Sequence, residues 1–219
     1  MIGKLFKIYL DFIRSFDFLT EKIWNIKIRK KLLPITYDLT SLVIKKAIET
    51  YIKKNFSFKS HLDMGCGQIA ILGQFHKKIN PMAEVVSADI YNDFLMNAKE
   101  NSKTNKLNIK FLESNMFSNI NQKFDLITFN PPYVPLRYKN KEIKYDRISF
   151  SGEHGTGEIE NFLKEANKFL TKSGIIFLGV NQFYVPSKTL EKIISFHEYQ
   201  LIETIKRWPH KCIVLVLKK

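Results

Sequence analysis

The sequence predicts an α/β fold: a doubly wound, seven-stranded, mostly parallel sheet closed by an antiparallel C-terminal hairpin, with a short helical extension in front. Three observations predict it. Short apolar runs alternate with helical segments of ten to fifteen residues, the rhythm of right-handed βαβ units. One of those runs ends in Asp63 and turns through Gly65-Cys66-Gly67 into a helix, a turn whose glycines let the backbone approach a ligand closely. The last two strand-like runs, 198–208 and 211–219, are separated only by Pro209-His210. That is too little chain for a parallel crossover, so they must pair antiparallel.

Taken in order, the N-terminal stretch "MIGKLFKIYLDFIRSFDFL" is apolar with a helical period. Lys4, Lys7, Asp11 and Arg14 interrupt it before the roughly 18 residues a membrane span needs, and it lacks the small-residue cleavage site of a signal peptide. Residues 1–37 are therefore expected to form a basic helical extension, either packed on the domain or offering a surface to a macromolecular substrate or a membrane, and 38–219 the domain itself. "SLVIKKAIETYIKK" (41–54) reads as an amphipathic helix started by Asp38 or Thr40 as a cap. Apolar runs at 60–65, 83–89, 108–114, 124–130 and 174–181 read as strands, and 92–105 and 158–174 as helices. The second of these helices is expected to stop at Gly174 after a Lys-rich last turn.

Composition narrows the classes. A chain of 219 residues with 45% hydrophobic content fits one domain with a full α/β core and argues against disorder. A net charge of +14 suggests a polyanionic partner such as RNA, a ribosome or an acidic protein surface. Thirty of the thirty-five basic residues are Lys, however, and the chain is rich in Ile, Asn and Phe, a mixture that an AT-rich genome produces without selection for binding. Cys66 and Cys212 stand in no metal-ligand spacing and form no disulfide framework, which places the chain in a reducing cytoplasm.

The parallel sheet with an antiparallel hairpin, together with Asp63 two residues before Gly65-Cys66-Gly67, resembles the class I S-adenosylmethionine (SAM) methyltransferases from about residue 38 onward. Ala70 stands where a third glycine would. The resemblance implies SAM as cofactor, its amino-acid part held by the turn at Gly65, Cys66 and Gly67 and oriented by Asp63. Asp89 ends the next strand, where a carboxylate can accept both ribose hydroxyls or, alternatively, cap the following helix. "ESNMFSNI" (113–120) resembles the family's "GDxF" turn, with Asn115 in place of the Asp that accepts the adenine amino hydrogen; a plain turn Asn is the other reading. Thr40, in "YDLTSLV", matches a hydroxyl of an element that closes over SAM, or else caps the helix. Cys66 reads as a packing residue rather than a nucleophile.

Asn130-Pro131-Pro132-Tyr133 follows the fourth apolar run directly and resembles the motif of amino-group and amide N-methyltransferases. Methyl transfer to a planar NH2 requires its hydrogens to be held so that the delocalised lone pair points at the methyl carbon. Asn130 supplies a side-chain carbonyl, Pro131 a second carbonyl that Pro132 helps to fix, and Tyr133 a flat face for stacking. No strong base is required, because the proton becomes acidic once the nitrogen is alkylated.

The longer "NPPYVP", with the loop Ser151-Gly152-Glu153-His154-Gly155 downstream, resembles the HemK-type protein-glutamine N5-methyltransferases and their small relatives. His154 replaces the usual loop Asp. The bacterial release-factor enzymes of that family carry a separate helical domain, whereas 37 residues precede Asp38 here. The implied partner is a macromolecule, and no membrane. Three readings follow: methylation of a glutamine side chain in a translation factor or ribosomal protein, methylation of an exocyclic amino group on a base of RNA or DNA, or a non-catalytic SAM-fold module that binds RNA.

Overall fold

A computed structural model describes residues 16–138, 146–207 and 211–219. The first fifteen residues of the expected extension and the Pro209-His210 turn lie outside them. The elements are α1 (Asp17–Trp24), α2 (Leu39–Lys53), β1 (Ser60–Met64), α3 (Ile71–Ile79), β2 (Glu84–Asp89), α4 (Asn92–Thr104), β3 (Lys110–Glu113), β4 (Phe124–Phe129), α5 (Gly157–Ala166), β5 (Leu170–Asn181), α6 (Ser187–Phe196), β6 (Gln200–Lys206) and β7 (Cys212–Lys218). The sheet order is β3-β2-β1-β4-β5-β7-β6. The first five strands run parallel, and β7 pairs antiparallel with both β5 and β6. The expected sheet and its closing hairpin are therefore present.

The order reverses between β1 and β4, which lie side by side although β1 leads on to β2. Loops leaving the carboxyl ends of strands at such a switch point form a crevice. Here the register pairs Met64 with Phe129, so Gly65 and Asn130 leave the sheet next to each other. Two apolar layers hold the sheet. One gathers Phe117, Phe129, Phe162 and Leu178 beneath α5 and α6; the other gathers Trp24, Ile44, Phe75 and Phe177 beneath α2 and α3. No helix among the described residues is long and apolar enough to cross a membrane.

Two expectations change. The helix expected to run to Gly174 ends at Ala166; a 3-10 turn (Asn167–Phe169) follows, and β5 starts at Leu170. Phe169 stacks on Phe117 at 4.6 Å, which turns the chain inward. Gly174 lies instead at an irregularity of the β4–β5 pairing, where a Cβ would sit 2.7 Å from the Phe124 carbonyl oxygen. At α2, the alternative between two caps resolves to Asp38, whose side chain accepts the Ser41 amide hydrogen at 2.8 Å.

The described part of the N-terminal extension is sutured to the domain. Asn97 and Asn101 on α4 and Asn105 at its C-terminal cap repeat every four residues and so share one face. Asn101 accepts from Arg29 N at 2.8 Å and donates to Lys30 O at 3.0 Å, while Asn105 pairs with both backbone groups of Lys27. Gln68, just past Gly67, donates to the carbonyls of Leu33 and Ile35 and accepts from the amides of Leu32 and Leu33. Trp24 and Ile26 are fully buried. Residues 16–37 thus share a core with the domain that the sequence places at 38–219.

Beneath the β1 turn lies a buried polar chain. Thr128 Oγ1 donates to Asp63, and His61 Nε2 meets Thr128 Oγ1 at 2.8 Å. His76 packs edge-on against His61 at 4.8 Å, and neither of its ring nitrogens has a partner among the described residues. Burial, with Lys77 nearby, pushes the His76 pKa down to about 4. Below an unfolded value of about 6.5 the unfolded chain takes a proton that the folded chain refuses, so His76 costs stability as pH falls toward 4. In urea titrations His76→Phe should flatten the loss between pH 6.5 and 4.5 by about 2 kcal/mol; a slope identical to the parent's would show that His76 is not held neutral.

Candidate active site

The β1 turn opens with Gly65 at φ 60° and Gly67 at φ 67°, and Ala70 keeps the same left-handed backbone (φ 51°) at the third position. Cys66 N donates to Ala88 O at 3.0 Å, and Gly67 N to Asp89 Oδ2 at 2.8 Å. Asp89 Oδ1 accepts from Tyr91 N at 3.0 Å. The carboxylate therefore clamps the turn to the end of β2, and each of its oxygens keeps lone-pair capacity. Burial raises the Asp89 pKa, against the pull of these backbone donors. Ile90, directly after it, is 51% exposed.

Asp63 serves the turn from beneath. Its Oδ2 accepts Gly73 N at 2.9 Å in the first turn of α3, and its Oδ1 accepts Thr128 Oγ1 at 3.0 Å. Both oxygens are engaged by the protein, and burial pushes the pKa up to about 7 despite those bonds. The Cys66 thiol is raised well above its ordinary value by burial and by the carboxylates of Asp89 and Asp63. It is thus a thiol at neutral pH, in keeping with a packing role. Asn115 is exposed two residues past Glu113, the β3 partner of Asp89, and its carbonyl accepts Ser118 N.

On the other side of the crevice Asn130 is half-buried. Its Nδ2 donates to Asp38 Oδ1 at 3.0 Å and to Ser41 Oγ at 3.1 Å. A carboxylate only accepts, so the amide orientation is fixed and Oδ1 is turned away. That Oδ1 is buried and has no hydrogen-bond partner among the described residues. Tyr133 is buried, and its hydroxyl donates to Asp38 Oδ2 at 2.6 Å and meets Thr40 Oγ1 at 2.9 Å. Burial and then Asp38 hold the phenol pKa well above its ordinary value. Thr40 is buried under this contact. Tyr184 lies along the Tyr133 ring, with centroids 6.1 Å and planes 28° apart.

The loop after the short helical turn Asp146–Ser149 braces this motif. Val134 N donates to Ser149 O, Ser151 N to Val134 O and Leu136 N to Gly152 O. Gly155, at φ 74°, lies where a Cβ would come within 2.3 Å of Tyr133 O. Ser151 Oγ accepts Glu158 N at the start of α5. His154 is exposed and lines a groove of about 400 Å³ with Arg137, Thr156, Tyr184 and Lys192, which reaches the motif through Tyr184. A second groove, about 490 Å³ between α6 and β6, lies away from the site.

The fold thus brings together Asn130, Tyr133 and Thr40, and separately Gly65, Cys66, Gly67 and Asp89. Asp63 lies below the turn, and Asn115 stands exposed past the end of β3. Asp38, Ser41, Gln68 and Gly155 were not foreseen as site residues. Asp38 was legible as a helix cap, and Gly155 as part of a Gly-rich loop; their partners lie too far along the chain for spacing to reveal.

Residues 38–208 match the methyltransferase small domain family. A Methanocaldococcus jannaschii protein, provisionally named a protein N5-glutamine methyltransferase, is 32% identical over 170 residues, covering 76% of this chain and 82% of that protein. The release factor glutamine methyltransferase of Haemophilus influenzae is 24% identical over 182 residues, covering 76% of this chain and 62% of that protein. The chain spans about half to two thirds of the length of the release factor enzymes it matches. Among solved structures, a methyltransferase from Pyrococcus furiosus shares the fold with a TM-score of 0.65 at 18% identity, over 99% of this chain and 98% of that one.

The brace generates a paired prediction. Gly155→Ala must shift the Tyr133 carbonyl and should cost about 2–3 kcal/mol in urea unfolding, whereas Gly152→Ala, with open space around it, should cost only about 1 kcal/mol of backbone strain. Equal losses would mean that close approach to Tyr133 is not the constraint.

Proposed function

The chain belongs to the methyltransferase small domain family, and on that premise we propose that it transfers the methyl group of SAM to the nitrogen of a planar NH2, foremost a glutamine side chain in a translation factor or ribosomal protein. One observation carries the proposal: Asn130 has its NH2 locked by Asp38 and Ser41 while its buried carbonyl has no partner. An unsatisfied buried acceptor costs about 1–3 kcal/mol, and a donor such as the NH2 of an incoming acceptor would satisfy it.

The residues fit the cofactor. Asp89 keeps acceptor capacity for two ribose hydroxyls, Ile90 offers an apolar wall to adenine, and Asn115 can accept from its amino group. Gly65, Cys66 and Gly67 bring backbone close to the amino-acid part, with Asp63 holding the turn from below. When bound, SAM supplies an electrophilic methyl on a sulfonium. Asn130 Oδ1 and the Pro131 carbonyl would hold the two hydrogens of the acceptor NH2 and so aim its lone pair. Pro132 limits the freedom of that backbone, and Tyr133, pinned through its hydroxyl, forms a wall of the acceptor site. The proton left after alkylation needs no strong base.

The names of the relatives support a glutamine acceptor. The charge of +14 and the groove carrying Arg137 and Lys192 beside Tyr184 favour, as a second reading, a base amino group of RNA or DNA.

Asp89→Ala should weaken SAM binding at least about tenfold by calorimetry, through the loss of two charge-assisted hydrogen bonds; unchanged affinity would remove the ribose assignment. Asn130→Ala should lower turnover by on the order of a hundredfold or more with SAM affinity within about threefold, since the amide orients the acceptor. Incubating a cell extract with methyl-labelled SAM, then with protease or RNase, separates the acceptor classes: label lost to protease alone supports a protein acceptor, the class to which glutamine belongs, and label lost to RNase alone overturns it.

A further inference from the structure

We infer that Asp38 is a positioning residue for methyl transfer, acting through Asn130: its carboxylate fixes and polarises the amide that holds the acceptor nitrogen. The inference rests on the role proposed above for Asn130. One carboxylate gathers four donors. Oδ1 accepts the Ser41 amide at 2.8 Å, the Ser41 hydroxyl at 2.9 Å and Asn130 Nδ2 at 3.0 Å, while Oδ2 accepts the Tyr133 hydroxyl at 2.6 Å. The first bond caps α2. A cap alone needs only that bond, and Ser or Asn would serve as well as Asp.

The other contacts converge on two neighbouring members of the Asn-Pro-Pro-Tyr motif. They require an acceptor with two oxygens and no hydrogen of its own. Without it, nothing in the structure would prevent the Asn130 amide from turning over, because Ser41 Oγ can donate as well as accept. A flipped amide would present NH2 to the incoming NH2, donor against donor. The negative charge also acts through the bond: an amide whose N–H is held by a carboxylate carries more electron density on its oxygen, the cooperative effect of linked hydrogen bonds. Positive charge develops on the nitrogen as the methyl arrives, and a fixed anion one amide away stabilises it. Asp38 therefore couples the start of α2 to the acceptor clamp while touching neither methyl donor nor acceptor.

The test uses the full chain and two independent readouts. In 15N-asparagine-labelled protein, the Asn130 side-chain signals are assigned by their loss in Asn130→Ala. They should be resolved and protected from exchange in the parent, and should move toward free-amide positions in Asp38→Ser, which keeps the helix cap. Using extract and methyl-labelled SAM, kcat in Asp38→Ser should fall on the order of tenfold or more, with SAM affinity within about twofold. Unchanged Asn130 signals in Asp38→Ser, or kcat within twofold of the parent, would each overturn the inference. Were the parent to transfer no methyl at all, the functional reading would fall, while the amide signals would still report whether Asp38 holds Asn130.

Discussion

The parallel pairing of β1 with β4 is the constraint on which the site depends. With Met64 opposite Phe129, the glycine turn and the Asn-Pro-Pro-Tyr segment emerge side by side, one suited to hold a methyl donor and the other a methyl acceptor. Slipping either strand by one residue would turn its side chains to the opposite face. The buried alternation of Leu62, Met64, Leu126 and Ile127 in the two apolar layers makes that slip costly.

Around this crossing, every loop is fixed by a polar side chain from elsewhere. Asp89 ties the glycine turn to β2, Asp63 ties it to α3 and β4, Asp38 ties the acceptor motif to α2, and Gln68 ties the turn to the preceding strap. Such bonds contribute only about 1 kcal/mol each in net terms. Their larger effect is geometric, since each leaves few alternatives for a backbone that must keep sub-ångström register with a reacting atom. At the acceptor end of the crevice the amide of Asn130 is held on its nitrogen side alone, and its carbonyl is left facing the space that an acceptor would enter.

Much of this was legible in the sequence because it is local. The strands announced themselves as apolar runs, the turn as glycines after Asp63, and the acceptor motif as four adjacent residues. What failed to show was carried by distance. Asp38 and Asn130 are 92 positions apart, so the sequence could offer Asp38 only as a cap. The end of α5 was misplaced because the amphipathic pattern runs on through "NKFLTKSG", while the structure ends the helix where Phe169 can stack on Phe117. The asparagine repeat on α4 reads as an ordinary polar face until the strap that it binds is seen.

That strap has a consequence for how the molecule assembles. Residues 27–35 reach the ribosome exit well before Asn97, Asn101 and Asn105, the side chains that complete their backbone bonds some seventy positions later. Closing so long a loop must precede any reward from these contacts, and such non-local pairings form late. Trp24 likewise waits for Phe75 of α3 and for the β5 and β7 residues of its layer, and until they are made the growing chain presents an indole to its surroundings. A segment made before the sheet is thus among the last to settle, and the glycine turn that Gln68 anchors acquires its full support only when residues 32–35 have docked against it.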